Sequence, residues 1–531
     1  MKILNRSRLF LIAALLAGPA ATYAKQPPDV VTSDSALNTA MGTNALLNLS
    51  GGVYNTACGD GALFDNTSGS YDIACGSYAL FSNTTGSANS ALGNSALEYN
   101  TTGNYNTAVG SNALNGNTTG IDNTATGENA LDDNTTGNDN TASGFQALQS
   151  NTTGSQNSAF GSGALFANTT ASMNSAFGVN ALAANTSGGE NTAIGWDALW
   201  NNTSGSSNTA IGWGALVTNT SGELNTATGN GALSSNTTGG SNTASGTGAL
   251  GSTTAGNDNT AMGVYALYRN FTGNYNTASG YYALFSNGNG NYNNASGYSA
   301  LLSNSSGSQN NASGVQALYS TTTGNYNTGS GTDALFHNTT GSTNIAEGYK
   351  AGFNLTTGSN NIDIGNQGVA AESGKIRIGT TSTQTAAYIA GIYGTSVTGS
   401  AVVVSSTGQL GVTVSSERFK TAIAPMGSDT AQLGQLRPVS FKLKSDATGT
   451  RQFGLIAEEV AKVYPELVIR DQSGRIDGVR YDELAPMLLN EMQQQQQRIA
   501  DQAEKLRELQ RQVAELMNLN HDRSSRSDRE P

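Results

Sequence analysis

A single phrase repeats with a fixed period along most of this chain. Asparagine recurs every seventeen residues from Asn38 to Asn361, and the series of twenty copies is interrupted once, by Asp72. One copy reads NTAVGSNAL over residues 106–114, passes through an NTTG turn at 117–120, and begins again at Asn123. A period near twenty residues is typical of a solenoid, in which one repeat cannot bury its apolar face alone. The repeat therefore predicts a structure that builds length and surface before it builds a pocket.

The chemistry of one repeat predicts short strands joined by tight turns. Small side chains suit closely packed coils, and Gly110 and Gly120 permit backbone turns that a Cβ would forbid. Asparagine at a constant phase predicts a side-chain ladder in which each amide bonds to the neighbouring coil. At the ~4.8 Å strand spacing, twenty coils form a rod roughly 95 Å long. Because each coil buries few apolar groups against the entropy of ordering it, we expect subunits packed side by side.

The N-terminus reads as a secretory signal over residues 1–24. A basic start at Lys2, Arg6 and Arg8 precedes an apolar run over residues 9–17, and a small-residue cleavage site ends at Ala24. The alternative is an anchoring or buried N-terminal helix. No later segment approaches eighteen apolar residues, which predicts a mature chain without a transmembrane segment. The protein is therefore expected to be exported, and either secreted or held at the cell surface.

The net charge, the cysteines and the histidines limit which partners, disulfides and cofactors we expect. The net charge of −12 argues against a nucleic-acid partner, which would require basic surfaces. The two cysteines, Cys58 and Cys75, are seventeen residues apart, so adjacent coils would bring them within disulfide reach in an oxidising compartment. Two reduced cysteines in the core are the equal alternative. His337 and His521 are the only histidines, and we expect no metal site and no cofactor.

The phrase NTA-x-G-x-x-AL, as at residues 208–216, resembles the head repeats of trimeric autotransporter adhesins. That resemblance covers residues 38–365 and implies a parallel β-roll packed as a homotrimer. The period here is longer than the usual repeat of that family, because an NTTG turn is added. The resemblance leaves the ligand unspecified, whether a surface or a glycan.

Composition changes towards the C-terminus, where Arg, Lys, Glu, Gln and Leu replace Gly, Asn and Thr. The complete prediction is mainly β. It comprises a signal peptide (1–24), a linker (25–37), the repeat solenoid (38–365), a β-rich neck (366–414), an α+β domain (415–484), a coiled coil (485–519) and a disordered charged tail (520–531).

The coiled-coil prediction rests on heptads that begin at Ala485. One seam holds Ala485, Met492, Ile499, Leu506 and Val513, and the other holds Leu488, Gln495, Gln502, Leu509 and Leu516. The alternative is one amphipathic helix packed on its own domain.

The sequence SSERFK at residues 415–420 carries the sharpest chemical signal. It resembles the start of the intramolecular chaperone autoprocessing domain, peptidase S74, of bacteriophage endosialidase tailspikes and tail fibres. The likeness continues through 451–460 (RQFGLIAEEV), 464–468 (YPELV) and 478–484 (GVRYDEL). It implies that Ser415 is a nucleophile, Lys420 its base, and the bond between Val414 and Ser415 the cleavage site. The family usually has Asp where this chain has Ser416.

Physical chemistry agrees with a serine-lysine pair. A serine hydroxyl needs a nearby base, and a lysine acts as one when burial or a cationic neighbour lowers its pKa. Arg418 is a candidate neighbour. The alternative is a solvated basic turn that opens a helix.

The functional prediction is an exported trimeric fibre whose C-terminal domain assembles it and then removes itself by cleavage. No other enzyme activity is expected. Two alternatives are a phage-type tailspike or tail fibre with a shaft that binds or cleaves glycans, and an ice- or surface-binding solenoid.

Overall fold

The computed structural model describes residues 32–390, 398, 401–405, 407–471 and 473–527. The chain divides into two units between Tyr388 and Ile389, and each has a hydrophobic core of its own. The predicted signal at 1–24, most of the predicted linker and the last four residues lie outside the described residues.

The first unit is a parallel β-solenoid with one short strand in each coil, which confirms the predicted fold class. Its strands are β1 (Thr32–Ser33), β2 (Thr39–Met41), β3 (Thr56–Cys58), β4 (Ile73–Cys75), β5 (Ser90–Leu92), β6 (Thr107–Val109), β7 (Thr124–Thr126), β8 (Thr141–Ser143), β9 (Ser158–Phe160), β10 (Ser175–Phe177), β11 (Thr192–Ile194), β12 (Thr209–Ile211), β13 (Thr226–Thr228), β14 (Thr243–Ser245), β15 (Thr260–Met262), β16 (Thr277–Ser279), β17 (Asn294–Ser296), β18 (Asn311–Ser313), β19 (Thr328–Ser330), β20 (Ile345–Glu347), β21 (Ile362–Ile364) and β22 (Ile376–Ile378). From β2 to β22, each strand pairs in parallel with the next.

The core of most coils consists of two alanines and one leucine. In the coil that begins at Asn106, these are Ala108 in the middle of β6 and the pair Ala113 and Leu114, all fully buried. The pairing of Ala108 with Ala125 places the same residue type one coil later, so the core is a set of continuous columns. The Ala-Leu segment is a turn rather than a second strand, and Leu114 has a left-handed φ of 50°.

The predicted asparagine ladder runs along the interior. The backbone N–H of Asn123 donates to Asn106 Oδ1 at 3.1 Å, and the Asn123 side-chain amide donates to the same oxygen at 3.2 Å. That amide also donates to the Gly137 carbonyl at 2.9 Å. Each buried amide is thereby satisfied within two adjacent coils, which removes the penalty of burying it.

A second ladder is formed by the asparagine of the NTTG turn. Asn134 Nδ2 donates to Asn117 Oδ1 at 2.8 Å and to the Gly137 carbonyl at 3.1 Å. Both asparagines are fully buried. The turn asparagines are therefore core residues, whereas the sequence identified this segment only as a turn.

The two glycine columns have different physical causes. Gly110 has a φ of 137°, and a Cβ there would lie 2.5 Å from the Gly127 carbonyl oxygen of the next coil. Gly120 needs space rather than a left-handed conformation, because its Cβ would lie 2.5 Å from the Gly137 carbonyl oxygen of the next coil and 2.4 Å from Asn117 Oδ1. Close stacking of coils explains both columns.

The N-terminal edge of the solenoid is covered by a reversed strand. Strand β1 pairs antiparallel with β2, and Asp34 Oδ1 accepts hydrogen bonds from the backbone N–H groups of Ala36 and Asn38, both at 2.9 Å. An occupied edge cannot recruit another strand. At the other end, β22 lies within the segment that the sequence assigned to the neck.

Among its described residues, the second unit has three two-stranded antiparallel sheets and two α-helices. Its elements are β23 (Val403–Val404), β24 (Leu410–Gly411), β25 (Val439–Phe441), β26 (Gln452–Gly454), α1 (Ala457–Val463), β27 (Val468–Arg470), β28 (Ile476–Val479) and α2 (Tyr481–Ser527), with short 3₁₀ turns at Glu417–Phe419, Gly427–Thr430, Leu433–Gln435 and Pro465–Leu467. Its buried core is small and comprises Leu433, Val460, Tyr464, Leu467, Val468 and Val479.

Helix α2 is attached to the 3₁₀ turn at Gly427–Thr430 by polar contacts. Asn490 Nδ2 donates to the Gly427 carbonyl at 3.0 Å and to Thr430 Oγ1 at 2.6 Å, and Gln494 donates to the same carbonyl. Within the described residues, no helix combines the length and apolar character needed to cross a bilayer.

Candidate functional site

Ser415 and Lys420 are in direct contact. Lys420 Nζ lies 3.2 Å from Ser415 Oγ, in hydrogen-bond geometry with the amine as donor. Both residues belong to the same chain, so one subunit brings the two groups together. The role of the pair in catalysis stays a prediction.

A single 3₁₀ turn, Glu417–Phe419, creates this contact. Ser416 precedes the turn in extended conformation, and the Lys420 backbone N–H donates to the Glu417 carbonyl at 2.9 Å. A 3₁₀ helix has about three residues per turn, and Ser416 and Lys420 on either side of it are extended. The five-residue separation therefore brings the side chains of Ser415 and Lys420 to the same side of the turn. The spacing of the motif is thus explained by local backbone geometry.

The site is open to solvent in the single chain. Every residue from 411 to 420 is exposed, including Val414 on the amino side of the predicted cleavage site. The structure places the Arg418 guanidinium over the ring of Phe419, 4.7 Å from its centroid. Arg418, the candidate cationic neighbour, is therefore engaged with an aromatic ring.

Chemically, the arrangement can supply a hydroxyl nucleophile with an adjacent amine. General-base action requires the reverse of the present hydrogen bond, because a neutral Lys420 amine must accept the Ser415 proton. The carbonyl carbon of Val414 is the nearest electrophile along the chain. Attack on it by Ser415 Oγ closes a five-membered ring.

Cys58 and Cys75 form a disulfide between β3 and β4. The two Cα atoms are 4.6 Å apart and are direct partners in the parallel pairing. The sequence left this pairing open because two reduced cysteines could occupy the same positions. The bond joins two adjacent coils near the N-terminal end of the solenoid.

The decisive comparison concerns the segment that begins at the serine of this pair. Residues 415–469 match the peptidase S74 family, the chaperone of endosialidase. The match starts at Ser415 itself and confirms the resemblance that the sequence showed there. Peptidase S74 likeness in the sequence over residues 470–519 lies outside the matched range. Neither the curated proteins nor the solved structures yielded a match. A peptidase S74 segment behind a β-solenoid fits a protein of the tail-fibre or tailspike type.

Several contacts that position the matched segment were missed from the sequence. Arg437 forms a two-point ion pair with Glu459 of α1, at 3.1 Å and 2.5 Å. The Tyr464 hydroxyl donates to the Asp429 carbonyl at 3.1 Å. These pairs join residues twenty-two or more positions apart, so no local pattern identifies them.

Proposed function

We propose that this chain is an exported fibre protein assembled by its own C-terminal domain. The solenoid over residues 38–365 is the shaft, residues 366–414 form the neck, and residues 415–484 with the coil at 485–519 are the assembly domain. After assembly, the domain is released by cleavage between Val414 and Ser415. The observation that carries the proposal is the 3.2 Å contact between Ser415 and Lys420 at the first residue of the peptidase S74 match.

The proposed cleavage is an intramolecular acyl transfer followed by hydrolysis. Lys420 removes the proton of the Ser415 hydroxyl, and Oγ attacks the carbonyl carbon of Val414. The peptide C–N bond breaks, the Ser415 amine takes the proton, and an ester joins the two residues. Water then hydrolyses this ester, which leaves a carboxylate on Val414 and restores the hydroxyl of Ser415.

Assembly as a trimer is supported by the surface of α2. Its large apolar seam side chains are more than half exposed in the single chain: Leu488, Met492, Ile499, Leu506, Leu509, Val513 and Leu516. Seven apolar side chains at heptad spacing on a forty-seven-residue helix are typical of a coiled-coil seam. Three copies packed along this seam would bury it.

The solvent exposure of the Ser415–Lys420 pair (the dyad) links the proposed cleavage to trimer assembly. A lysine acts as a base when its surroundings disfavour the ammonium form, and a fully solvated site does not provide this. In the proposal, neighbouring subunits cover residues 411–420 and supply the missing enclosure. Cleavage then follows trimer formation and spares unassembled chains.

Export is supported by the predicted signal over residues 1–24 and by the disulfide. A bond between Cys58 and Cys75 persists in oxidising compartments such as the periplasm or the cell exterior. The proposal therefore places the mature fibre outside the cytoplasm.

Two alternatives use the same architecture with a different shaft activity. A tailspike would bind or cleave glycans, and a glycan-hydrolysis assay tests for it. An ice-binding solenoid would use aligned threonines. Thr118 Oγ1 donates to the Thr135 carbonyl at 2.9 Å, so that column is hydrogen-bonded within the solenoid. Exposed threonines remain at Thr119 of the turn and at first strand positions such as Thr124. An ice-recrystallisation assay tests that alternative.

The proposal is tested by intact mass and native mass of the purified full chain. We expect a trimer and a released fragment of residues 415–531, which is 117 residues long. Ser415→Ala and Lys420→Ala should leave the chain intact, whereas Ser416→Ala is the matched control and should still cut. An uncut parent, or normal cutting by both dyad variants, contradicts the proposed function.

A further inference from the structure

The strands present an almost uncharged surface along the whole solenoid. The strand face is defined here as the first and third residues of β2 to β21, whose side chains point outward while the middle residue is buried or partly buried. It comprises forty residues in the described chain, and Glu347 is the only charged one. The first positions are mostly threonine or serine, and many third positions are apolar.

Nearly all the charge of the solenoid lies outside the strand face. Residues 38–365 contain sixteen acidic and two basic residues. Asp72 and Asp363 are buried, and thirteen of the remaining acids lie outside the strand face. Like charges would oppose contact between copies through the acidic columns. The exposed threonine and serine columns of the NTTG turns are also uncharged, but among the described residues Phe271 is their only large apolar side chain, so the strand face is the uncharged surface that also offers apolar area.

An apolar patch occupies the middle of the strand face. The third residues of β9 to β12 are Phe160, Phe177, Ile194 and Ile211, each 38% to 41% exposed. The Phe160 and Phe177 rings stack with centroids 4.9 Å apart. Two residues beyond the last two strands, Trp196 and Trp213 are 60% and 55% exposed. A contiguous apolar patch of this kind marks an interaction surface.

We infer that the strand face is the surface through which the solenoid packs against further copies of itself. The inference rests on the trimer of the proposed function and names the face involved. Twenty strands at ~4.8 Å spacing and about 10 Å width give roughly 1,000 Å² per copy. In a trimer this area is shared between two neighbours, and the roughly 1,000 Å² buried per copy is comparable to the about 800 Å² that each partner buries in a standard interface.

A second copy fits this face better than another partner because the columns repeat. Chains aligned in register at one end bring the same patch to the same height in every copy. Phe160 and Phe177 then meet apolar residues, and the threonine columns meet uncharged polar residues. No complementary charge is needed from the partner, because Glu347 is the single charged residue of the strand face in the described chain.

The test places two lysines on the strand face, Ile194→Lys with Ile211→Lys, in the full chain. After self-cleavage the parent shaft should remain a trimer in sedimentation velocity, whereas the double variant should dissociate at least tenfold more readily. The same double variant combined with Ser415→Ala keeps its tail and should stay trimeric. That combination shows that the lysines weaken the shaft interface without preventing folding.

The matched control puts two lysines on another column, Met173→Lys with Leu224→Lys, where the native side chains are 54% and 63% exposed. This variant should stay trimeric after cleavage. A second measurement uses a short bis-maleimide crosslinker: Ser245→Cys in β14 should crosslink between subunits, and Thr238→Cys on the NTTG turn should not.

The outcomes separate the two proposals. A monomeric or uncut parent contradicts the proposed function itself. A trimeric parent whose strand-face lysines leave the cleaved trimer unchanged, or which crosslinks through Thr238→Cys and not Ser245→Cys, overturns the strand-face inference alone. Inhibition of ice recrystallisation through an uncovered strand face of the cleaved parent shaft would also overturn the inference, because that face would then not be packed against other copies.

Discussion

Asp72 accepts two hydrogen bonds from Asn89, one coil later, through the same carboxylate oxygen. The Asn89 backbone N–H is 2.8 Å from Asp72 Oδ1, and Asn89 Nδ2 is 3.1 Å from it. Asp72 thus takes the acceptor role of the asparagine that the other coils have at this position. The Asp72 side chain has no N–H, however, and so it cannot donate to a turn carbonyl. Asn89 Nδ2 makes such a bond to the Gly103 carbonyl at 3.0 Å.

The first prediction is a pH-dependent weak point at this coil. Burial raises the pKa of Asp72 from 3.8 to about 7, although the Asn89 hydrogen bonds act to lower it. The coil is most stable below about pH 4, where Asp72 is protonated in both the folded and the unfolded chain. Stability is lost as the pH rises towards 7, because Asp72 ionises at a lower pH in the unfolded chain than in the folded one. The loss above pH 7 is at most about 4 kcal/mol. Hydrogen-exchange protection factors of residues 55–89, which are corrected for the intrinsic pH dependence of amide exchange, should be higher at pH 5 than at pH 8.

Asp72→Asn should abolish this difference by restoring the amide donor. The matched control is Asp60→Asn, which removes an exposed acid from the coil next to the one that begins at Asp72. If the protection factors of the parent are equal at both pH values, the buried carboxyl does not limit stability.

The sequence predicted the first ladder because a strict seventeen-residue asparagine period has few explanations besides stacked coils. It did not predict the second ladder, because the asparagine of an NTTG turn is also favoured by turn geometry alone. The distinguishing signal was available: asparagine keeps that phase from Asn66 to Asn338, with Thr253 and Thr321 as the only exceptions. A turn at the surface would tolerate serine or aspartate there far more often.

The second prediction concerns the break in this second ladder. Asn236 Oδ1 and Thr253 Oγ1 have no hydrogen-bond partner among the described residues, because threonine cannot supply the amide that the next coil normally offers. Thr253→Asn should donate to Asn236 Oδ1 and stabilise the solenoid by about 1–3 kcal/mol, the usual cost of an unpaired buried group. Thermal unfolding measures the gain.

Thr238→Asn is the control for this substitution, because residue 238 is at an exposed turn position in a neighbouring coil. It should leave the melting temperature unchanged. Equal shifts for both variants would indicate a general composition effect and not a repaired ladder.

The third prediction concerns the glycine that follows each strand. Gly127 has a φ of 133°, and its Cβ would lie 2.4 Å from the Gly144 carbonyl oxygen. Gly127→Ala should therefore cost about 3 kcal/mol or more, from backbone strain and overlap together. Gly214→Ala, at a φ of 59° with no atom within 4 Å of the new Cβ, should cost markedly less. Comparable soluble yields and melting temperatures would contradict the close-stacking explanation.

The candidate site was predictable in part for a physical reason. Ser415 and Lys420 are five residues apart, so one local turn decides their contact, and the motif encodes that turn. The solvent exposure of the site in the single chain was not predictable, because it depends on surfaces outside residues 411–420. The sequence could not decide whether Cys58 and Cys75 form a disulfide, because the seventeen-residue spacing brings them together whether or not they are oxidised.

The uniformity of the coils creates a folding problem. Ala108 pairs with Ala125 in the native register, and a slip of one repeat would pair it with Ala142, which occupies the same buried position. Such a slip restores nearly every core contact and both ladders. Local chemistry therefore cannot choose the register, and long-range pairing is slow and exposes strand edges to aggregation.

The last prediction follows from this degeneracy. A tail that trimerises first, through the seam of α2, would align three chains at one end and let coils add from the neck in a single register. Deleting residues 415–531 should therefore give aggregated or misregistered shafts, whereas Ser415→Ala should fold and keep its tail. After denaturation, the cleaved fibre should refold poorly beside the Ser415→Ala chain, because only the latter still carries its alignment domain. Light scattering and sedimentation after dilution from denaturant measure the difference. Efficient refolding of a chain ending at Val414 into soluble trimers would refute the chaperone role, since the repeats would then have found their register unaided.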